Sequence, residues 1–239
     1  MDSFFEDLNF ENMNPLVALF DLFFPNLCVV CGNNLLSQEK EICMTCICNL
    51  PKTNYHLQKD NAVEKRFWGK VEVQSACSFF FFQKGSMYQK ILHELKYRGN
   101  KEVGVLMAKY AAVDLMESNS FVDVDLIVPV PLHPKKYKLR GYNQSECIGS
   151  GLSEIMQKPQ IIDCLVRSVE NVSQTKKTVF ERFENTKNVF EVAKPHLLSG
   201  KHVLLVDDVL TTGSTLEACI HTLLQVEGVV VSVFTLAVA

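Results

Sequence analysis

The sequence predicts an α/β protein, with a parallel, doubly wound sheet, helices on both faces, and a small N-terminal module. Three short apolar stretches, 126–130, 203–206 and 229–238, have the composition of buried strands. Segments with apolar residues at helical spacing separate them, and strands that alternate with helices are typical of a parallel sheet. Two Cys-x-x-Cys pairs lie near the N-terminus, outside this alternating pattern.

The composition is that of a globular protein with a sizeable core. Of 239 residues, 47% are hydrophobic, and the formal net charge of −3 argues against bulk electrostatic attraction to nucleic acid. No run approaches the roughly 18 apolar residues of a membrane span, so we expect no transmembrane segment. The acidic start MDSFFEDLNFE is unlike a secretory signal. We expect a cytoplasmic protein, with attachment at the inner face of the membrane as the alternative.

The nine cysteines include a two-knuckle pattern. Cys28-x-x-Cys31 and Cys43-x-x-Cys46 each supply two thiolates from one turn, and two such turns complete a tetrahedral zinc site. Because no coordination position is left for water, the predicted zinc is structural. Cys48 is an alternative ligand. A redox-active dithiol pair and unligated buried cysteines are the alternatives to a metal.

We expect residues 1–50 to form the N-terminal module, 51–67 a linker and 68–239 the main domain. In the module, PLVALFDLFFP has apolar residues at helical spacing and ends at Pro25, which predicts a short docked helix. The linker segment is polar and has no strong period. The main domain then opens with a strand, a turn and two helical stretches.

The junction VLLVDDVLTTGST carries the chemistry of the main domain. In a parallel sheet, ligands bind beyond the carboxyl ends of the strands, and Asp207 and Asp208 follow the strand 203–206 at that end. The next segment, 211–215 around Gly213, leads into an amphipathic helix, whose free N–H groups bind phosphate. The carboxylates would repel phosphate but accept hydrogen bonds from a vicinal diol. The junction therefore predicts a site for a ribose 5-phosphate.

The alternative interpretation of this junction is an N-capping Thr/Ser cluster beside ordinary loop aspartates. The order of apolar strand, paired acids, hydroxyl–glycine loop and amphipathic helix favours the ligand site. A P-loop is excluded because Gly-Lys-Ser/Thr is absent, and a dinucleotide-binding fingerprint is excluded because its three glycines are absent.

A second candidate region is the cationic loop after the strand 126–130, which reads PVPLHPKKYKLRGYNQ. Displacing pyrophosphate from ribose builds positive charge on the sugar ring, so a site for that reaction must also steady the leaving diphosphate. Lys96 and Arg98 in LKYRG either join the phosphate site or pack by their stems. His133 is a candidate acid or base. The cations that suit the diphosphate are Lys135, Lys136, Arg140, Lys176, Lys177 and Arg182.

The junction resembles the phosphoribosyl pyrophosphate (PRPP) signature of type I phosphoribosyltransferases. This resemblance implies that the acid pair holds the ribose hydroxyls, that 211–215 binds the 5-phosphate, and that Mg²⁺ accompanies the pyrophosphate. The implied PRPP site is Asp207, Asp208, Val209, Leu210, Thr211, Thr212, Gly213, Ser214 and Thr215. The implied pyrophosphate loop is Val130, Pro131, Leu132 and His133, with Arg140. The implied flexible loop, 173–188, includes Gln174, Lys176, Lys177 and Arg182.

A closer resemblance covers nearly the whole chain. The segments LFFPNLCVVCG, LKYRGNKEVG, DLIVPVPLHPKKYKLRGYNQSE, SQTKKTVFERFENTKNVF and the PRPP motif occur in the order seen in the competence protein ComF (ComFC) family. Members of that family pair a zinc finger with a phosphoribosyltransferase domain and handle incoming single-stranded DNA in natural transformation. The segment SQTKKTVFERFENTKNVF matches the family at Gln174, Arg182, Asn185 and Phe190 and departs from it at Thr178-Val179. Residues 1–14 are an extension.

The resemblance implies alternative functions. One is an enzyme that transfers phosphoribose to an acceptor derived from imported DNA. Another is a non-catalytic DNA-uptake adaptor that binds single-stranded DNA and a helicase partner through the zinc module and the basic loops. A third is a PRPP sensor. Basic loops with interleaved tyrosines suit single-strand binding, whereas two carboxylates repel backbone phosphates, which favours PRPP binding in each case.

Overall fold

The computed structural model describes residues 25–167 and 189–239. The chain divides into two compact units, Met1–Cys48 and Asn49–Ala239. The helix predicted over PLVALFDLFFP lies outside the described residues except for Pro25, and the whole flexible loop 173–188 lies outside them.

A four-stranded parallel sheet forms the centre of the second unit, which confirms the predicted fold class. Its spatial order is β1-β6-β5-β2, and Leu205 of the third strand in that order lies opposite Val128 on one side and Val233 on the other. The strand that carries the acid pair is therefore an interior strand. The strands are β1 (Ala76–Phe81), β2 (Leu126–Pro129), β3 (Leu165–Arg167), β4 (Phe190–Val192), β5 (His202–Leu210) and β6 (Val230–Val238).

Helices cover both faces of this sheet. Side chains alternate between the faces of a strand, and Val203 and Leu205 join the core cluster that contains Leu216. On the other face, a Cβ added at Gly149 would lie 3.4 Å from the Ile127 side chain. The helices are α1 (Met44–Cys48) in the first unit, and α2 (Gln89–Tyr97), α3 (Lys101–Met116), α4 (Pro134–Arg140), α5 (Gln144–Met156) and α6 (Ser214–Leu223) in the second.

The segment PQIIDCLVRSV adds little to the main sheet. Strand β3 pairs antiparallel with β4 in a separate two-stranded sheet. Upstream of it, the Ile127 N–H donates to the Pro159 carbonyl and the Ile161 N–H donates to the Ile127 carbonyl, both at 2.9 Å. This part of the chain therefore touches the β2 edge at a single bridge before it turns away.

The segment predicted as a linker packs onto the second unit. Val63 and Phe67 have no exposed surface and belong to the core cluster. The Asn61 amide group donates to the carbonyls of Gln58 and Ala76 at 2.9 Å, which fastens the segment to β1. These few buried anchors have no regular spacing, and for that reason the pattern of apolar residues does not reveal them.

The first unit is built around short turns. Isolated bridges join Leu27 to Asn34 and Lys40 to Ile42, and α1 follows. The Glu39 carboxylate accepts the N–H groups of Met44 (2.7 Å) and Leu36 (2.8 Å), and these bonds lower its pKa. Across residues 25–167 and 189–239, no helix has the length and apolar character needed to cross a membrane.

Candidate functional site

The acid pair lies on β5 at the point where its neighbour β2 stops. The last residue of β2, Pro129, is paired with Val206, and the Val130 N–H donates to the Val206 carbonyl at 2.9 Å. Strand β5 continues to Leu210, so Asp207 and Asp208 lie within the strand and not after it. Because β2 has ended, the two carboxylates lie at the carboxyl edge of that part of the sheet, where ligands bind in parallel sheets.

The Asp207 carboxylate is held by two donors on one oxygen. The Ser145 hydroxyl and the Asp208 N–H both donate to Oδ1 of Asp207 at 2.9 Å. Burial, followed by the negative charge of Asp208, raises the pKa of Asp207 to about 7. The two hydrogen bonds and the positive charge of Lys96 oppose that rise. Near neutral pH this carboxyl group therefore exists in both protonation states.

The Asp208 carboxylate forms an ion pair with Lys96. The Lys96 Nζ lies 3.0 Å from Oδ1 of Asp208, and the two side chains are 18% and 13% exposed. Lys96 comes from the last turn of α2, far from β5 in sequence. The sequence indicated Lys96 as a phosphate ligand or a packed stem. The structure instead brings its ammonium group onto a carboxylate.

The hydroxyl–glycine loop connects β5 to α6. Gly213 is the N-cap residue of α6 with φ 86°, a left-handed conformation that favours glycine. It is buried, whereas Thr211, Thr212, Ser214 and Thr215 are exposed. The Thr212 and Ser214 hydroxyl oxygens lie 3.1 Å apart. The loop therefore presents hydroxyl groups together with the first N–H groups of the helix, which have no carbonyl partner within the helix, and this combination is suited to an anion.

Residues of the segment predicted as a linker contact the hydroxyl–glycine loop. The Arg66 Nη1 donates to the Thr211 carbonyl at 3.3 Å. A Cβ added at Gly213 would lie 3.9 Å from the Phe67 ring. Val209 and Leu210, the remaining residues of the implied PRPP segment, complete β5, where Val209 is paired with Ala237.

The predicted pyrophosphate loop leaves β2 next to the acid pair. Val130 is buried and its carbonyl accepts the Asn143 amide at 2.9 Å, whereas Pro131, Leu132 and His133 are half-buried. The His133 Nδ1 accepts the Lys135 N–H at 3.1 Å and caps α4. That contact gives His133 a capping role in this structure.

Arg140 ends the cationic helix α4. Its Nη1 donates to the Gln144 Oε1 at 2.6 Å, and its guanidinium carbon lies 5.5 Å from the centre of the Tyr97 ring. Its Nε is buried and has no hydrogen-bond partner within the described part of the chain. The Arg140 side chain is therefore in contact with Gln144 and Tyr97, and its buried Nε–H is available as a donor.

The residues named for the flexible loop, Gln174, Lys176, Lys177 and Arg182, lie outside the described residues. Their position relative to the acid pair stays a prediction.

The first unit brings the four predicted cysteines together. The Sγ atoms of Cys28, Cys31, Cys43 and Cys46 all lie within 4.8 Å of one another, whereas Cys48 is exposed and outside the cluster. Tetrahedral zinc with Zn–S bonds of about 2.3 Å requires thiolates about 3.8 Å apart. The Cys31 and Cys43 Sγ atoms are 3.7 Å apart, which fits zinc.

The local hydrogen bonds favour one thiolate in this cluster. Burial raises the pKa of Cys28, but N–H donors from Cys31, Cys43 and Val30 outweigh burial and lower that pKa to about 7. The Cys43 N–H, for example, lies 3.3 Å from the Cys28 Sγ. Burial and the neighbouring thiols raise the pKa of Cys46. A cation is what would stabilise all four thiolates at once.

Ser145 is a site residue that sequence reasoning did not single out. It is buried at the start of α5, behind the capping residue Asn143, whose side chain accepts the Ser145 N–H at 3.1 Å. The available signal was the run Asn-Gln-Ser at a helix start, where polar side chains cap the helix or serve a site.

A comparison with protein-family models identifies one matching domain. The model described as "Phosphoribosyl transferase domain" matches residues 160–238. That stretch contains the acid pair, the hydroxyl–glycine loop, β5, α6 and β6.

Three curated proteins illustrate the similarity along the chain. DNA utilization protein YhgH of Escherichia coli strain K12 is 25% identical over 231 residues, covering 90% of this chain and 98% of that protein. Competence protein ComFC of Bacillus subtilis strain 168 is 27% identical over 219 residues, covering 84% and 86%. Competence protein F of Haemophilus influenzae is 35% identical over 94 residues, covering 39% and 41%.

Proposed function

The chain belongs to the competence protein ComF (ComFC) family and carries a phosphoribosyltransferase domain, and on that premise we propose that it binds PRPP with Mg²⁺ in DNA uptake. One observation carries the proposal: paired carboxylates and a glycine-capped helix start occupy one continuous strand, loop and helix. Carboxylates accept hydrogen bonds from a diol, and helix N–H groups bind phosphate. A 5-phosphorylated ribose offers both partners.

Each part of PRPP has a proposed set of ligands. Asp207 and Asp208 accept the ribose hydroxyls, and the loop around Gly213 binds the 5-phosphate. The segment 130–133 and Arg140 receive the diphosphate, supported by the way this loop leaves β2 beside the acid pair. The flexible loop then adds cations and excludes water from the ribose carbon that loses pyrophosphate.

Mg²⁺ would enter with the diphosphate. The Asp208 carboxylate is engaged by Lys96, and among the described residues the cysteine cluster is the group of three or more side chains suited to a metal. A small, strongly hydrated cation with few protein ligands is typically held by phosphate oxygens and water. When bound, Mg²⁺ would offset the negative charge of the diphosphate and make it a better leaving group.

Calorimetric titration of the zinc-loaded protein with PRPP and MgCl₂ tests the site. We expect saturable binding with one site per chain, and its loss in the double variant Asp207→Asn/Asp208→Asn. The matched control is Asp60→Asn/Asp123→Asn, because both of those aspartates are exposed. An acid-pair variant that binds PRPP as the parent protein does would defeat the assignment of the site.

A second candidate function is a DNA-uptake adaptor without turnover. The names of the relatives, DNA utilization protein and competence protein, support a role with DNA. Helix α4 carries Lys135, Lys136 and Lys138 on an exposed surface, and Tyr137 beside them is 48% exposed. Cations interleaved with an exposed aromatic ring suit single-stranded nucleic acid, and a helicase is the proposed protein partner.

The same titration, repeated with a saturating single-stranded oligonucleotide, separates these functions. PRPP binding that the oligonucleotide leaves intact supports separate sites and directs the search to a phosphoribose acceptor, with pyrophosphate release as the measure of turnover. A change in oligonucleotide affinity on adding PRPP supports a sensor. No PRPP binding under either condition favours the adaptor.

We also propose that Cys28, Cys31, Cys43 and Cys46 hold a structural zinc ion. A cytoplasmic location, at the inner face of the membrane where DNA enters, is a separate proposal. All nine cysteines lie within the described residues and none of them forms a disulfide, as expected in a reducing compartment. Metal analysis of the purified protein should give one zinc per chain. A metal-free protein that keeps its stability would contradict the structural role.

A further inference from the structure

The acid pair poses an electrostatic problem for the proposed ligand. Two neighbouring carboxylates next to a phosphate-binding loop would repel every phosphate group that approaches, and the repulsion is strongest where water is excluded. The structure contains a partner for one of these charges. The Lys96 Nζ lies 3.0 Å from Oδ1 of Asp208, and both side chains are largely buried.

The last turn of α2, which carries Lys96, is fixed by contacts of the residues before and after Lys96. Before it, Leu95 is fully buried, and its carbonyl accepts the hydroxyl of Tyr142. After it, the ring of Tyr97 lies 5.5 Å from the guanidinium carbon of Arg140. The segment LKY of the LKYRG motif is therefore fastened to the end of α4 and the start of α5. Lys96 is positioned by its neighbours in this arrangement.

The other carboxyl group of the pair carries only part of a charge near neutral pH. The charged or titratable groups that act on Asp207 are Asp208 on its own strand and Lys96 from α2, and Cys219 of α6 lies close by. Burial raises the pKa of Cys219 well above its ordinary range, so that thiol is neutral. Burial and Asp208 raise the pKa of Asp207 to about 7, and Lys96 acts against the rise. With Asp208 paired, the site is therefore close to neutral.

We propose that Lys96 is a positioning residue that neutralises the acid pair, so that the carboxylates offer acceptors to a ribose diol without repelling the phosphate groups of the same ligand. The inference rests on the proposed PRPP site and deepens it. It also explains how a pair of acids and a phosphate loop share one strand end. Lys96 touches neither the reacting carbon nor the leaving group in this role.

Substitution of Lys96 tests the inference. Lys96→Gln removes the positive charge. Lys96→Met removes the charge and keeps an unbranched apolar side chain, whereas Lys96→Arg retains the charge. The matched control is Lys52→Gln, because Lys52 forms an ion pair of 2.8 Å with Asp114. We expect PRPP affinity to fall by about tenfold or more in the Gln and Met variants, and to change little in the Arg and Lys52 variants.

Carbon-13 NMR titration of the aspartate carboxyl groups provides a readout that needs no PRPP. The pKa of Asp207 should rise by about one unit in Lys96→Gln and Lys96→Met, because an opposing positive charge has been removed. Lys96→Arg should keep the parent value. A residue that only packs against the core would lower stability in all three variants and leave this pKa in place.

The outcomes separate the inference from the proposed function. If the parent protein does not bind PRPP, the proposed function fails and the NMR titration alone decides whether Lys96 controls the acid pair. If the parent binds PRPP and the Gln and Met variants bind it equally well with an unchanged Asp207 titration, the inference is overturned. Lost binding and a raised pKa, both restored by Arg, support it.

Discussion

Replacing Asp207 by asparagine should stabilise the folded protein at neutral and alkaline pH. The carboxyl group is buried beside Asp208, and this raises its pKa from 3.8 to about 7. Asparagine keeps an acceptor oxygen for the Ser145 hydroxyl and the Asp208 N–H, which both lie 2.9 Å from Oδ1. The substitution therefore removes a buried negative charge while retaining the hydrogen bonds made to it.

The direction of the pH effect on stability follows from the number of protons that Asp207 binds in the folded and in the unfolded protein. Between about pH 4 and pH 7 the folded protein keeps the Asp207 proton and the unfolded chain loses it, so stability falls as pH rises. A difference of one pKa unit corresponds to about 1.4 kcal/mol, so the ionised carboxylate costs at most about 4 kcal/mol above pH 8. The gain from Asp207→Asn should approach this value at pH 8 and vanish below about pH 4.

Urea denaturation at about pH 5 and about pH 8 measures this effect. Far-UV circular dichroism follows the second unit, where the longer helices lie, and Trp68, the single tryptophan, reports the same unit. The control is Asp60→Asn, because Asp60 is exposed and its φ of 57° suits asparagine. The reasoning is refuted if the free energies of unfolding of Asp207→Asn and the parent differ by the same amount at both pH values.

Three further predictions concern the loop, the cluster and the serine. Gly213→Ala should cost about 1 kcal/mol because its φ is 86°, and should weaken PRPP binding, whereas Gly85→Ala at φ 85° should cost stability alone; equal PRPP titrations of the two variants would contradict this. Cys28→Ser should lower zinc content and thermal stability, and Cys48→Ser, outside the cluster, should change neither; full zinc in the first variant would count against the ligand set. Ser145→Ala should raise the pKa of Asp207 and cost about 1 kcal/mol, as NMR titration and denaturation would show.

The site features that could be predicted from sequence are those whose residues are close together in the chain. The acid pair, the hydroxyl–glycine loop and the start of α6 form one uninterrupted segment, and the cysteine ligands come as two tight turns. Periodicity located β2, β5 and β6 to within a few residues and indicated the helix α6, because buried strands and amphipathic helices each repeat a simple pattern.

Other features depend on contacts between distant parts of the chain. Lys96 contacts Asp208 and Ser145 contacts Asp207 because the last turn of α2 and the start of α5 reach the carboxyl edge of β5. Phe67 is buried under the loop at Gly213, although its segment has no apolar period. A periodic pattern reports local geometry only, so it cannot indicate such partners.

The sequence by itself determined that this protein has a parallel α/β sheet and four cysteines in two turns, and it predicts a ribose phosphate site at one strand end. Those properties depend on residue type and short-range spacing, which the chain states directly. The tertiary structure alone decided how the acid pair is charged. Burial of Asp207, the ammonium group of Lys96 and the hydroxyl of Ser145 act through space, and electrostatic energy depends on distance and on the exclusion of water.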